Sequence, residues 1–144
     1  MKVLPYMNAT SGQRALDQIK KILDAFGCDS FGVLDDRAKG ETIVQFSLGG
    51  RVVVMKVSWK GYFNLMLLRY PYNARRKQNK MNYEALLLKQ AQISVCSVLR
   101  DWIKGQVLAV ECGLLDFDTA FLPYLQLKDG HTVIDQIKQL ELIK

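Results

Sequence analysis

The longest periodic pattern of apolar and polar residues in this chain runs from Arg75 to Cys112 and predicts a helix that ends at Gly113. The apolar positions that we expect to be buried recur at helical spacing and are Leu87, Leu88, Ala91, Val95, Val98, Leu99, Trp102, Ile103, Val107 and Val110. The positions that we expect to face water are Glu84, Lys89, Ser94, Ser97, Arg100, Asp101 and Lys104. A helix of roughly 30 residues is about 45 Å long, so the other elements should pack on it.

The N-terminal part of the chain predicts a second, shorter amphipathic helix. Ser11 is placed to cap its first turn, and the pattern continues to about Phe26, where Gly27 supplies a residue that commonly ends a helix. The predicted buried positions of this helix are Leu16, Ile19, Ile22, Leu23 and Phe26.

Short segments rich in β-forming residues separate the two helices and predict a small antiparallel sheet. The segment from Phe31 to Leu34 is a first strand, and the segment from Thr42 to Leu48 alternates apolar and mixed positions. Gly49-Gly50 supplies the positive φ angles of a tight hairpin, after which Val52 to Trp59 returns as a third strand. The run from Tyr62 to Leu68 fits either a fourth strand or a helix, because short apolar runs are ambiguous.

Two short helices are predicted after the long one. Asp116 is a cap residue, and Pro123 stops the helix that it begins. Thr132 and Asp135, three residues apart, predict the capping box of a last helix. The chain therefore predicts an α+β fold in which residues 1–144 form a single domain: an N-terminal helix, a small antiparallel sheet of three to four strands, a long central helix and two short C-terminal helices.

Four of these segments, taken in order, resemble a family of small uncharacterised proteins from bacteriophage and prophage genomes. The segments are FGVLDD (31–36), TIVQFSLGGRVV (42–53), IKGQVLAVECGL (103–114) and FDTAFLPYLQLKDGHTV (117–133). The chain departs from the family pattern at Cys96-Ser97, where members tend to carry Trp-Arg. The resemblance implies a phage or prophage origin and brings no activity with it, because the matching residues are mainly apolar, turn-forming or capping.

The charge of the chain is unevenly distributed. Twenty basic and 14 acidic side chains give a net charge of +6. Five of the cations and none of the acids lie between Arg69 and Lys80, so the rest of the chain carries only +1. A local excess of positive charge favours an anionic partner.

The cysteines and the hydropathy pattern predict a cytoplasmic protein, and the resemblance to phage proteins implies that this is the cytoplasm of a bacterial host. Cys28, Cys96 and Cys112 are too few and too scattered for a disulfide framework, and Cys96 and Cys112 are expected to be buried free thiols beside the long helix. We find neither a signal-peptide pattern nor an apolar run long enough to cross a bilayer, so we expect no membrane association.

The inventory of catalytic and metal-binding residues predicts neither an enzyme nor a metal or cofactor site. His131 is the only histidine and stands in a turn sequence, and no two cysteines have zinc-ligand spacing. The carboxylate pairs Asp35-Asp36 and Asp116/Asp118 fall at a turn and a helix start, where acids are common without any catalytic role.

The segment from Arg69 to Lys80 is the one stretch that suggests a function. Its cations can neutralise phosphates, and its tyrosines can stack on unpaired bases. The residues that we predict to bind DNA or RNA are Arg69, Tyr70, Tyr72, Arg75, Arg76, Lys77 and Lys80. Two other interpretations stay open: an ordinary solvated surface, and a docking site for an acidic protein. The lysines that could extend the patch are Lys20, Lys21, Lys56 and Lys60.

Two function classes follow from this reasoning. The first is a non-enzymatic phage accessory protein that binds nucleic acid through this basic, tyrosine-containing segment. The alternative is a phage inhibitor of a bacterial host defence system, an anti-CRISPR-like or other anti-defence protein that acts by binding a host protein. A homodimer through the long helix is a further expectation, because its apolar stripe is wider than a small sheet covers.

Overall fold

The computed structural model describes residues 3–144 and confirms the α+β fold. The helices α1 to α5 span Gly12–Phe26, Lys60–Arg69, Lys80–Glu111, Phe117–Phe121 and Val133–Gln139, with a 3₁₀ turn at Leu122–Tyr124. The strands β1 to β3 span Ser30–Asp36, Glu41–Leu48 and Arg51–Ser58. Helix α3 is the long central helix, and both α1 and α2 pack on it.

The predicted helix caps are confirmed. The Ser11 side chain accepts a hydrogen bond from the Arg14 N–H, and Gly27 ends α1 with φ of 97°. Asp116 caps α4 by accepting from the Thr119 N–H, and Thr132 forms a reciprocal capping box with Asp135 at the start of α5. Each cap joins residues only three positions apart, so sequence alone is enough to find it.

The sheet is antiparallel with the order β1-β2-β3. Gly49 and Gly50 have φ of 55° and 82° in the tight turn between β2 and β3, as predicted. The alternation of β2 is also confirmed, with one face of the sheet forming part of the core. The buried residues of β2 and β3 are Thr42, Val44, Phe46, Val53 and Met55.

The ambiguous run from Tyr62 to Leu68 lies in a helix, α2, and forms no fourth strand. Tertiary packing decides this: the fully buried Met66 contacts a small core cluster that includes Leu4, Trp59 and Ala91. A helix places Met66 on the same side as Tyr62 and Phe63, which pack against that cluster.

The long helix begins five residues later than predicted, at Lys80 rather than Arg75. The Asn79 side chain caps it by accepting from the Asn82 N–H at 2.8 Å. Arg75 and Lys77 therefore lie in the preceding turns, where their charges do not oppose the dipole of the first helical turn.

Two predictions about the faces of α3 are wrong. Ser94 and Ser97, expected to face water, are buried, whereas Leu88 and Val98 are 38% and 40% exposed. The reason is that α3 is covered by the segment that precedes α1: the Ser94 hydroxyl donates to the carbonyl oxygen of Tyr6 at 2.8 Å. Helix α1 also packs on α3 here, with Gly12 beside Cys96.

Cys112, also expected to be buried, is exposed, whereas Cys96 is buried. Leu88, Val98 and Leu108 remain partly exposed on α3. Positions ten residues apart on a helix differ by about 80° in direction, so these three do not share one stripe. A homodimer through α3 stays a prediction. No helix within residues 3–144 is long and apolar enough to span a bilayer.

Candidate nucleic-acid interface

Residues 69–80, here called the basic loop, join α2 to α3 and are anchored by one buried aromatic residue, Tyr83. Its hydroxyl donates a hydrogen bond to the backbone carbonyl oxygen of Tyr70. Its ring meets the ring of Tyr72 edge-on, with 5.7 Å between the ring centroids. These contacts fix both the start and the middle of the basic loop to the first turn of α3.

Hydrogen bonds within the basic loop define its turn. The Asn73 side-chain oxygen accepts from the Arg75 N–H at 2.7 Å, and the Asn73 carbonyl accepts from the Arg76 N–H at 3.0 Å. The Tyr72 hydroxyl donates to the carbonyl oxygen of Gln78 at 3.0 Å. The polar groups that the sequence offers for base contacts therefore also hold the loop together.

Arg76, one of the cations of the basic loop, contacts an aromatic ring. The carbon at the centre of its guanidinium lies 4.4 Å from the centroid of the Tyr83 ring, a cation–π geometry. Tyr70 and Arg76 also line a cavity of about 300 Å³ beside Leu87. This contact positions the Arg76 charge on the protein surface and leaves its N–H groups able to meet an anion.

The other cations of the basic loop extend into solvent. Arg75, Lys77 and Lys80 are exposed, and no carboxylate within residues 3–144 lies at salt-bridge distance from them or from Arg76. Arg69 is half-buried in the last turn of α2, where a cation is favoured by the helix dipole. The charges of Arg75, Arg76, Lys77 and Lys80 are thus not neutralised by acids within residues 3–144.

The structure does not bring the four candidate lysines into one continuous patch with the basic loop. Lys60 lies at the start of α2, about 13 Å along the helix from Arg69. Lys56 lies beside Asp135 on the β3–α5 side, and Lys21 lines a groove between α1 and α3. The candidate interface is therefore limited to the basic loop.

Sequence reasoning missed Tyr83, the residue that organises this loop. A signal was present, because Tyr83 stands four residues before Leu87 and eight before Ala91, on the same side of the helix. Tyr70 and Tyr72, which sequence reasoning selected for base stacking, are half-buried and contribute to the internal contacts of the loop. Their contact with bases stays a prediction.

The carboxylates considered for chemistry make structural contacts. Asp118 forms a bidentate ion pair with Arg51, with both N···O distances 2.9 Å. Asp35 accepts from the hydroxyl of Thr42 at 2.9 Å, and that hydroxyl oxygen accepts from the indole N–H of Trp59. Residues 3–144 contain no group of three or more His, Cys, Asp or Glu side chains that could hold a metal ion.

The histidine lies in the turn before α5. His131 is exposed, its backbone N–H donates to the Asp129 carboxylate at 3.0 Å, and its ring Nδ1 lies 3.4 Å from the other carboxylate oxygen. The N–H donation lowers the pKa of Asp129. These contacts are those of a turn that leads into a helix cap.

No protein-family model, curated protein or solved structure matches this chain. The resemblance to phage and prophage proteins stays a prediction.

Proposed function

We propose that this protein binds nucleic acid through the basic loop. The observation that supports the proposal is the exposure of Arg75, Lys77 and Lys80, without acidic partners, on a loop held in place by Tyr83. Because the loop backbone is already held in place, these cations lose less backbone freedom when they meet phosphates, and their binding releases the counterions that surround the phosphates. Arg76, positioned over the Tyr83 ring, supplies a fourth cation.

The proposed contacts are mainly with phosphates. Tyr72 uses its hydroxyl and one ring edge inside the loop, so less of its surface is left for a base. Phosphate contacts position a protein without reading sequence. We therefore expect weak sequence preference and strong dependence on salt.

The test is fluorescence anisotropy with labelled single- and double-stranded oligonucleotides at 50 and 200 mM salt. For about four phosphate contacts, the affinity should fall roughly 100-fold over this range. The triple variant Arg75→Glu, Arg76→Glu, Lys77→Glu should lose binding.

The matched control reverses three exposed cations in other turns, Arg37→Glu, Lys39→Glu and Lys128→Glu, for the same change in net charge. Circular dichroism checks that both variants stay folded. Equal affinity of the basic-loop variant and the control would contradict the proposal, as would an absence of binding at 50 mM salt.

A second candidate function is inhibition of a host defence protein through the same region. The observation that favours it is exposed apolar surface beside the basic loop. Leu68 and Met81, which flank the loop in the chain, are 80% and 79% exposed. A protein partner with an acidic surface beside an apolar one would contact both features.

This alternative is tested with Leu68→Gln and Met81→Gln, using Leu140→Gln, which is 61% exposed near the C-terminus, as the control. A complex with a purified host defence protein should survive nuclease treatment and be weakened by the first two substitutions alone. Loss of the complex on nuclease treatment would show that nucleic acid holds it together, which would contradict this alternative.

A further inference from the structure

A second cationic site lies away from the basic loop, between the start of α1 and the middle of α3. It is a cavity of about 460 Å³ whose walls include two arginines and no carboxylate. The polar side chains of its walls include Ser11, Arg14, Ser97 and Arg100. A concave site with several hydroxyls and two arginines, one of which is paired with Asp101, offers hydrogen-bond donors to an anion.

Ser97 is the residue that points to a ligand. It is only 4% exposed, and its hydroxyl has no hydrogen-bond partner among residues 3–144. Every fully buried side-chain nitrogen or oxygen in that range has a partner, so the Ser97 hydroxyl must reach the cavity that the residue lines. By contrast, Ser94 one turn earlier donates to Tyr6. The Ser97 hydroxyl is therefore available to bond to a group that enters the cavity.

The two arginines differ in how they are held. Arg100 is fixed by neighbours: its Nε donates to Asp101 at 2.9 Å and one terminal nitrogen donates to Gln18 at 2.8 Å. Asp101 also accepts from the Tyr6 hydroxyl at 2.7 Å, and these two donors hold its pKa below the usual value. The remaining N–H groups of Arg100 are free to donate to a bound anion. Arg14 makes no side-chain hydrogen bond or ion pair within residues 3–144.

The start of α1 forms one wall of the same cavity, through Ser11, Arg14 and Ala15. The helix has 15 residues and no acidic side chain in its first turn, and the Ser11 side chain satisfies the Arg14 N–H. The N–H groups of Gly12 and Gln13 have no partner inside the helix, as in every helix start. The positive end of the α1 helix dipole also favours an anion at this position.

We infer that this cavity binds a phosphoryl group, held by Arg14, Arg100 and Ser97 at the start of α1. A neighbouring cavity of about 420 Å³ shares Gln18 and Arg100 and adds Lys21 and Lys104, together with Asp101. The two cavities therefore lie side by side, with Gln18 and Arg100 between them. The inference goes beyond the proposed function, since none of these residues belongs to the basic loop.

The test is a titration of ¹⁵N-labelled protein with sodium pyrophosphate at constant ionic strength, followed by ¹H–¹⁵N NMR. The amide signals of Gly12, Gln13 and Ser97 should shift and saturate. Ser97→Ala and Arg14→Gln should each weaken binding about 10-fold or more, because each removes a hydrogen bond to a charged group. Arg37→Gln, an equal charge change in the β1–β2 turn, should leave the affinity unchanged.

Several outcomes would overturn the inference: shifts that do not saturate, shifts confined to the basic loop, or equal affinities for Arg14→Gln and Arg37→Gln. The basic-loop triple variant should keep its pyrophosphate affinity, so a failure of the proposed nucleic-acid function can be told from a failure of this site.

A short single-stranded oligonucleotide then distinguishes two sources of the phosphoryl group. If the oligonucleotide displaces pyrophosphate in both the wild type and the basic-loop triple variant, the site is supported and its ligand is the backbone of a nucleic acid. Saturable pyrophosphate binding without displacement supports the site and assigns it to a small phosphate compound.

Discussion

The side-chain hydroxyl of Tyr83 donates a hydrogen bond to the backbone carbonyl oxygen of Tyr70, which ties the first turn of α3 to the end of α2. The basic loop is closed by this bond. Because Arg76 also lies over the Tyr83 ring, one buried aromatic side chain controls both the backbone path and the placement of a cation. The proposed interface therefore depends on a residue that is itself not exposed to a ligand.

Replacement of Tyr83 by phenylalanine should destabilise the protein by about 1 kcal/mol, because it removes the hydrogen bond to Tyr70 and keeps the ring. Urea denaturation measures this change. Tyr124→Phe is a matched control, since Tyr124 is half-buried and its hydroxyl bonds to no residue within 3–144. We also expect faster amide hydrogen exchange in the basic loop of Tyr83→Phe. An equal loss of stability in Tyr83→Phe and Tyr124→Phe would contradict the role of the Tyr83 hydroxyl in holding the loop.

The two buried serines of α3 should respond differently to alanine. Ser94→Ala should cost about 1 kcal/mol, because the Ser94 hydroxyl donates to Tyr6 and accepts from Gln90. Ser97→Ala should cost nothing or be slightly stabilising without a ligand, since it removes a buried hydroxyl that has no partner in the described chain. Thermal unfolding of the two variants measures the difference, and a loss for Ser97→Ala as large as that for Ser94→Ala would contradict the account.

Asp135 should stabilise the fold at neutral pH and lose this effect in acid. Its hydrogen bonds with Thr132 lower the pKa of its carboxyl in the folded state, so folding favours the ionised form. This contribution is present above the unfolded pKa of about 3.9 and disappears as the pH falls through the lower folded value.

Asp135→Asn should therefore lower the stability by about 0.5 kcal/mol at pH 7, a small effect because the group is exposed. The difference from the wild type should vanish near pH 2. Urea denaturation at several pH values between these limits measures it. A difference that is independent of pH would show that the charge of Asp135 does not contribute.

The three thiols should differ in reactivity. Burial raises the pKa of both Cys28 and Cys96 to about 11, whereas Cys112 is exposed after the end of α3. Since the thiolate is the reactive form, a disulfide reagent at pH 8 should modify Cys112 first and Cys96 only when the protein unfolds. Cys112→Ser should remove the fast phase; a fast phase that persists in this variant would contradict the placement.

For the candidate interface, sequence identified the cations but not their organisation. The charge excess between Arg69 and Lys80 is a local property of the chain, so it is visible without a structure. The contacts of Tyr70 and Tyr72 depend on Tyr83, which lies eleven or more residues away. The groove beside Arg14 and Ser97 depends on residues more than 80 positions apart, and nothing local marks it.

For the fold, the sequence by itself determined the features that rest on neighbours in the chain. The caps at Ser11, Asp116 and Thr132 and the Gly49-Gly50 hairpin were predictable, because each depends on groups a few residues apart and on φ angles that few residues adopt. Tertiary structure alone decided that the run from Tyr62 to Leu68 is helical and that Ser94 and Ser97 face inward. Both outcomes were set by distant partners, the cluster around Met66 and the segment that crosses α3, because burial is decided by what a side chain meets in space.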